Sequence, residues 1–201
     1  MSTPRRERDV VRGLAQQVAA VAALPAQQET AELWRRLNRL DPVRPMVVLQ
    51  MLEDSAWPDT GIEDTLTCTD PFLRRQELVL RRLLYQWQYQ AGDMVIDDVV
   101  PVPIAVHSTG FGVEAKFEHP DHSFGASRFL PVLVEEADAE QLRLPEVSVD
   151  WEETERRCQQ HADLYDGILR VQKTGRRDIW YSIFDTFIEW RGVGQALQAR
   201  V

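Results

Sequence analysis

Two pairs of adjacent carboxylates, Glu53 with Asp54 and Asp97 with Asp98, stand out among the residues able to do chemistry. Like charges side by side in a closed pocket push their pKa values apart, so such a pair can hold one proton between them and serve as acid and base. His107, Tyr181 and Asp185 add an imidazole, a phenol and a further carboxylate. The plainer alternative is that Asp97 and Asp98 form a solvated strand end and that Asp185 is an N-cap. His119-Pro120-Asp121-His122 offers two imidazoles and a carboxylate within one short loop, but without a further ligand it reads as a surface turn. Ser108-Thr109-Gly110-Phe111-Gly112 has the backbone freedom to turn amides toward an anion. It lacks the strand-to-helix setting of a phosphate loop and reads as a bend. Cys68 and Cys158 stand far apart with no Cys-x-x-Cys or Cys/His pairing beside either, which is not a zinc framework. They are expected to be two reduced thiols, a lone disulfide being the alternative.

These groups need elements to hold them. Val10, Val11, Leu14, Val18, Val21 and Ala22 recur at helical spacing from Pro4 until Pro25 stops them. A second helix runs to Leu40, with Leu33, Trp34, Leu37 and Leu40 on one face and arginines on the other, and Asp41-Pro42 closes it. The nearly continuous apolar run from Arg44 to Leu52 has the pattern of a strand buried on both faces of a parallel sheet. Residues 53–70 read as a long loop. Asp70-Pro71, an N-cap with Pro at the first helical position, launches a helix to about Gln90 that turns Leu80, Leu84 and Trp87 inward.

Residues 93–106 predict a second strand and its extension, and 107–129 a loop or small hairpin. A weak strand is expected at 130–133. Asp150 caps a long helix from Trp151 to about Lys173, 178–183 is a third core strand, and Asp185 to Leu197 is a last helix broken softly at Gly192 and Gly194. Trp34, Tyr85, Trp87, Trp180 and Trp190 are most simply packing aromatics. The order of elements is the grammar of an α/β protein with parallel strands.

Composition bounds the reading. The chain has 201 residues, 44% of them hydrophobic and 27% charged, enough for a folded core without disulfides or structural metals. A complete (β/α)8 barrel usually needs about 250 residues. The net charge of −9 repels a phosphate backbone and an anionic membrane surface, so neither nucleic acid nor membrane is the expected partner. The longest uncharged run, 14–28, is too short and polar to span a bilayer, and no signal peptide is readable. The cytoplasm is the expected location.

Three stretches together resemble a known family: Trp34 to Pro45 (WRRLNRLDPVRP), Asp70 to Val95 with its paired arginines, Tyr85-Gln86-Trp87 and Asp93-Met94-Val95, and Ser108 to Glu114 (STGFGVE). They are similar to the N-terminal half of the uroporphyrinogen decarboxylase-like superfamily, in the branch related to corrinoid-dependent methyltransferases. The resemblance covers about residues 10–195 and implies an α/β fold, a partial (β/α)8 TIM-type barrel preceded by N-terminal helices. Residues 1–42 would be the helical segment and 43–201 the incomplete barrel. Barrel enzymes place their chemistry at the carboxyl ends of strands. That rule makes Glu53, Asp98, His107 and Tyr181 the catalytic pocket candidates.

The match has two departures. Decarboxylases of the superfamily carry Arg-Gln-Ala-Gly-Arg after the first strand, where this chain reads Gln50-Met51-Leu52-Glu53-Asp54. Acid in place of arginine argues against uroporphyrinogen as substrate. The methyltransferase branch binds zinc through a His-x-Cys pair and a distant Cys of the C-terminal half, and none of these can be carried onto this chain. The resemblance therefore implies no cofactor or metal in this chain itself. It implies zinc and a partner-borne corrinoid for the full-length family. Expected partners are a small methylated molecule or a corrinoid protein, together with self-association or a missing C-terminal barrel half. The chain alone would be inactive, the alternative being a noncatalytic half-barrel that binds or scaffolds.

Overall fold

The computed structural model describes residues 4–49, 57–90, 92–119, 127–175 and 182–198. The chain divides into two compact units, Met1–Val102 with Glu155–Lys173, and Pro103–Thr154 with Thr174–Val201.

The first unit begins with the helices α1 (Pro4–Ala22) and α2 (Pro25–Asn38). Pro25 occupies the first turn of α2, where its missing amide proton costs nothing. After two short 3-10 turns at Pro58–Thr60 and Glu63–Thr65 comes α3 (Pro71–Tyr89), which starts where Asp70 accepts a hydrogen bond from the Leu73 amide. The strand β1 (Val99–Pro103) follows. Helix α4 (Trp151–Tyr165) and strand β6 (Arg170–Thr174) return to this unit, where β6 pairs with β1. Val11, Leu14, Ala15 and Val18 of α1 meet Leu73 and Leu80 of α3, with Cys68, Ile96, Leu164, Tyr165 and Leu169 completing the core. The Tyr165 hydroxyl, inside that core, donates to Gln76 Oε1 at 3.0 Å. Arg12 donates to the carbonyls of Leu164 and Asp166, and Arg8 to that of Asp163, so α1 supplies cations to the open carbonyl end of α4.

The second unit holds two antiparallel pairs. β2 (Ala105–Ser108) pairs with β5 (Val147–Asp150) in the register Val106 opposite Val149 and His107 opposite Ser148. β3 (Lys116–Glu118) pairs with β4 (Arg128–Leu130), Phe117 opposite Phe129. Between β4 and β5 lies a 3-10 segment, Glu136–Gln141. Helix α5 (Ile183–Arg191) starts where Ser182 accepts from the Asp185 amide. The Val132 and Leu133 amides both donate to the Trp190 carbonyl, and the Trp190 ring meets Phe111 edge-on at 5.5 Å. Gly192, at φ +71°, turns the chain into α6 (Val193–Gln198).

The mixed helix-and-strand class is as expected, but the expected parallel strands are not found in the pairs β2–β5 and β3–β4, which are antiparallel. The described strands form three two-stranded sheets and no closed barrel. Several elements differ from the sequence reading. Residues 44–49 are not a core strand: they enter no ladder, and Val47, Val48 and Leu49 are each half or more exposed. The run is tied to 92–93 instead, and Gly92 permits it, since a Cβ there would lie 2.9 Å from the Val47 carbonyl oxygen. Of the long strand expected at 93–106, residues 93–98 form no strand and the remainder is divided between β1 and β2. The helix expected to reach Lys173 stops at Tyr165, because Gly167 takes φ +72° and turns the chain into β6. The weak strand lies at 128–130 rather than 130–133. Asp185 lies in the first turn of α5, and Ser182 is the cap. Trp87 is 37% exposed rather than core, because the buried face of α3 comprises Leu73, Gln76, Glu77 and Leu80 and the helix then runs past it. The third core strand expected at 178–183 lies almost wholly outside the described residues. α1 packs on α3, so the helices on either side of residue 42 share one core.

Candidate functional site

In the first unit, α1 and α2 form a groove of about 660 Å³. Ala19, Ala22, Ala23 and Ala31 open it by leaving room beside the helix backbones, while Asp97, Asp98 and Arg35 bring charge to its lining. Gln27, almost wholly buried, fixes its inner edge: its Oε1 accepts from the Ile96 amide at 2.6 Å. That volume is within the usual range for small-molecule sites, which is about 300–1,000 Å³.

Of the four pocket candidates, Asp98 lines this groove. Both its oxygens are held by Arg170, at 2.8 Å from Nε and 2.7 Å from Nη2, and its backbone carbonyl accepts from the Arg170 amide. The Arg170 guanidinium keeps the Asp98 carboxyl below the usual carboxylate range, so Asp98 is an anion here and not a proton donor. Its neighbour Asp97 accepts from the Val99 amide at 3.2 Å. His107 lies in the second unit, on β2, exposed, with Nε2 3.8 Å from Asp150 Oδ2. Glu53 and Tyr181 lie outside the described residues, as do Asp54 and Trp180. His119 packs edge-on against Phe117 and shares a 2.9 Å hydrogen bond between Nδ1 and Ser127 Oγ, whereas His122 falls outside the described residues.

Two polar clusters are denser than any of these. Asp93 receives both nitrogens of the Arg44 fork at 2.6 and 2.8 Å and the Val47 amide at 2.8 Å. Its own amide donates to the Val47 carbonyl, and its carbonyl accepts from Trp34 Nε1. Arg44 above all, with the Val47 amide, holds the Asp93 carboxyl down to about 2. The second cluster surrounds residues 67–70. Glu77, fully buried, accepts from the Thr67 and Cys68 amides and from Arg81. Glu7 accepts from the Thr69 and Asp70 amides and from the Thr69 hydroxyl. Burial pushes Glu77 up, but these donors outweigh it and keep the carboxyl below its ordinary value. Both carboxylates hold the loop that starts α3, and neither is free to exchange a proton with a ligand.

The donor set does not fit zinc. Cys68 is fully buried, and burial together with Glu77 pushes its thiol up to about 12, opposite to what a metal thiolate requires. Both cysteines are free thiols, and no group of three His, Cys, Asp or Glu side chains converges on one point among the described residues. No helix among the described residues is long and apolar enough to cross a membrane.

Spacing along the chain could not reveal the Asp93 cluster, since Arg44 and Trp34 reach it from far away in sequence. A signal for Glu77 did exist: a carboxylate on the stripe Leu73, Gln76, Glu77, Leu80 must find buried donors. No family model, curated protein or solved structure matches this chain.

Proposed function

We propose that the chain is the N-terminal half of a uroporphyrinogen decarboxylase-like, corrinoid-linked methyltransferase, a partial TIM-type barrel of the cytoplasm that does not turn over alone. The observation that carries this reading is the segment 44–49. Its Arg44 end is fixed by Asp93, yet Val47, Val48 and Leu49, a run with the composition of a buried strand, lie uncovered. Apolar surface of that kind marks a face that a further chain segment covers. The segments WRRLNRLDPVRP and STGFGVE support the lineage. A complementary half would supply the zinc ligands, and a small methylated molecule or the corrinoid of a partner protein would occupy the completed pocket. By the resemblance alone, Glu53, Asp98, His107 and Tyr181 are the candidates for its chemistry.

A noncatalytic binding or scaffolding chain of the same lineage is the second reading. The observation favouring it is the engagement of Asp98 by Arg170, which leaves that carboxylate no free oxygen for acid–base work.

Assaying methyl transfer to a thiol, by the chain alone and with a C-terminal half bearing His-x-Cys, tests both. Activity only in the mixture, weakened by Glu53→Gln or Asp98→Asn, is the expected result. An inactive mixture leaves the scaffold reading, and turnover or stoichiometric zinc in the chain alone overturns both.

A further inference from the structure

The second unit contains a pocket that neither reading uses. It lies where β4 meets the turn between α5 and α6 and encloses about 430 Å³. The turn approaches β4 closely because residue 192 is glycine: a Cβ there would lie 3.2 Å from the Phe129 carbonyl oxygen and 3.3 Å from the Pro131 ring. Arg128 and Arg191 line this space, and none of its described lining residues is acidic; Glu118 stands opposite Arg128 in the β3–β4 ladder. Against a net charge of −9, that lining is basic.

Two polar atoms here lack partners. Arg191 Nε and Gln195 Oε1 are both shut off from solvent with no hydrogen bond. A buried donor or acceptor left unpaired is costly, so each such atom needs an explanation. Asp138, whose charge faces Arg191, is already occupied: it accepts from the Val134 and Glu135 amides and from Gln141. The Arg191 guanidinium lies 5.8 Å from the Phe187 ring, which holds it without neutralising it. Arg128 has no ion pair or side-chain hydrogen bond among the described residues. Phe129, Pro131 and Val193 give the remaining wall an apolar surface.

We propose that this pocket binds a small organic oxyanion, a carboxylate or a phosphate ester on a flat apolar body, paired with the guanidinium groups of Arg128 and Arg191. Guanidinium groups suit such anions because their planar donors match two oxygens at once. The site lies within one unit and does not depend on a companion barrel half.

Calorimetric titration of the full chain with salicylate and with phenyl phosphate tests it, with salicylamide as the neutral control. Saturable binding of salicylate assigns a carboxylate ligand, and of phenyl phosphate alone a phosphate ester. Arg191→Gln and Arg128→Gln should each weaken binding about tenfold or more, as expected for one lost charge-assisted pair. Arg128 is exposed at a strand end, so its variant remains informative if Arg191→Gln fails to fold, and an unchanged circular dichroism spectrum verifies this. Equal binding of salicylamide, unchanged affinity in Arg128→Gln, or no binding of either anion at millimolar concentration would overturn the proposal.

Discussion

Glu77 holds more of the first unit together than its type suggests. Replacing it with alanine leaves the Thr67 and Cys68 amides without acceptors and Arg81 without its partner, all against the core. Breaking a buried charged network from one side costs about 3–5 kcal/mol. Glu77→Ala is therefore expected to lower the urea midpoint by that equivalent, and a midpoint within error of the parent would show that the loop finds other acceptors. Acid should act on the same groups. Glu7, Glu77 and Asp93 all have folded values below their ordinary ones, 4.5 for the glutamates and 3.8 for the aspartate. A group depressed on folding contributes stability that is fully present above its unfolded pKa and is lost as pH falls through its folded pKa. The chain should therefore hold its melting temperature down to about pH 5 and lose it progressively toward pH 2. Asp93→Asn should flatten the last part of that fall, between about pH 4 and 2. A melting temperature constant to pH 2 would show that these carboxylates are not coupled to folding.

Helices and caps were legible in the sequence because their signals are local. The Asp70-Pro71 start, the Pro25 break and the Asp150 cap depend on residues within one turn, and each is found, the last as a 2.8 Å bond from the Glu153 amide to Asp150. Residues 44–49 are not legible as uncovered coil, because a short apolar run says nothing about what covers it. The end of α4 is not legible from periodicity, because Leu164, Ile168 and Val171 continue a helical spacing across Gly167, where the glycine is the stronger signal. Trp87 shows the same limit: periodicity gives the face but not where the partner helix ends. Two substitutions in α3 separate these effects. Asp70→Ala removes the acceptor for the Leu73 amide and should cost about 0.5–2 kcal/mol. Trp87→Ala removes a ring that is 37% exposed and should cost less than the about 3–5 kcal/mol of a fully buried tryptophan. A cost within that range in a urea melt would put Trp87 in the core.

At the scale of the molecule, the candidate groups were legible one by one and their company was not. Arg170 opposite Asp98 and Arg44 opposite Asp93 are pairings made by the fold across long stretches of chain. Surface apolarity is the other property visible only in three dimensions. Val47, Val48 and Leu49 in the first unit are uncovered, and Val106, Val147 and Val149, which share one face of the β2–β5 pair, are uncovered in the second. Such faces associate when nothing else covers them. The charge of −9 opposes this by repulsion between copies, and salt screens that repulsion over about 10 Å at 0.1 M while leaving the apolar term intact. The purified chain should therefore self-associate at micromolar concentration, and more strongly as salt is raised. Val47→Lys with Leu49→Lys should reduce the association while leaving the melting transition in place, since neither side chain belongs to the core. Light scattering that reports a monomer at every salt concentration would remove this reading, and loss of association only on changing Val106 and Val149 would move the contact to the second unit.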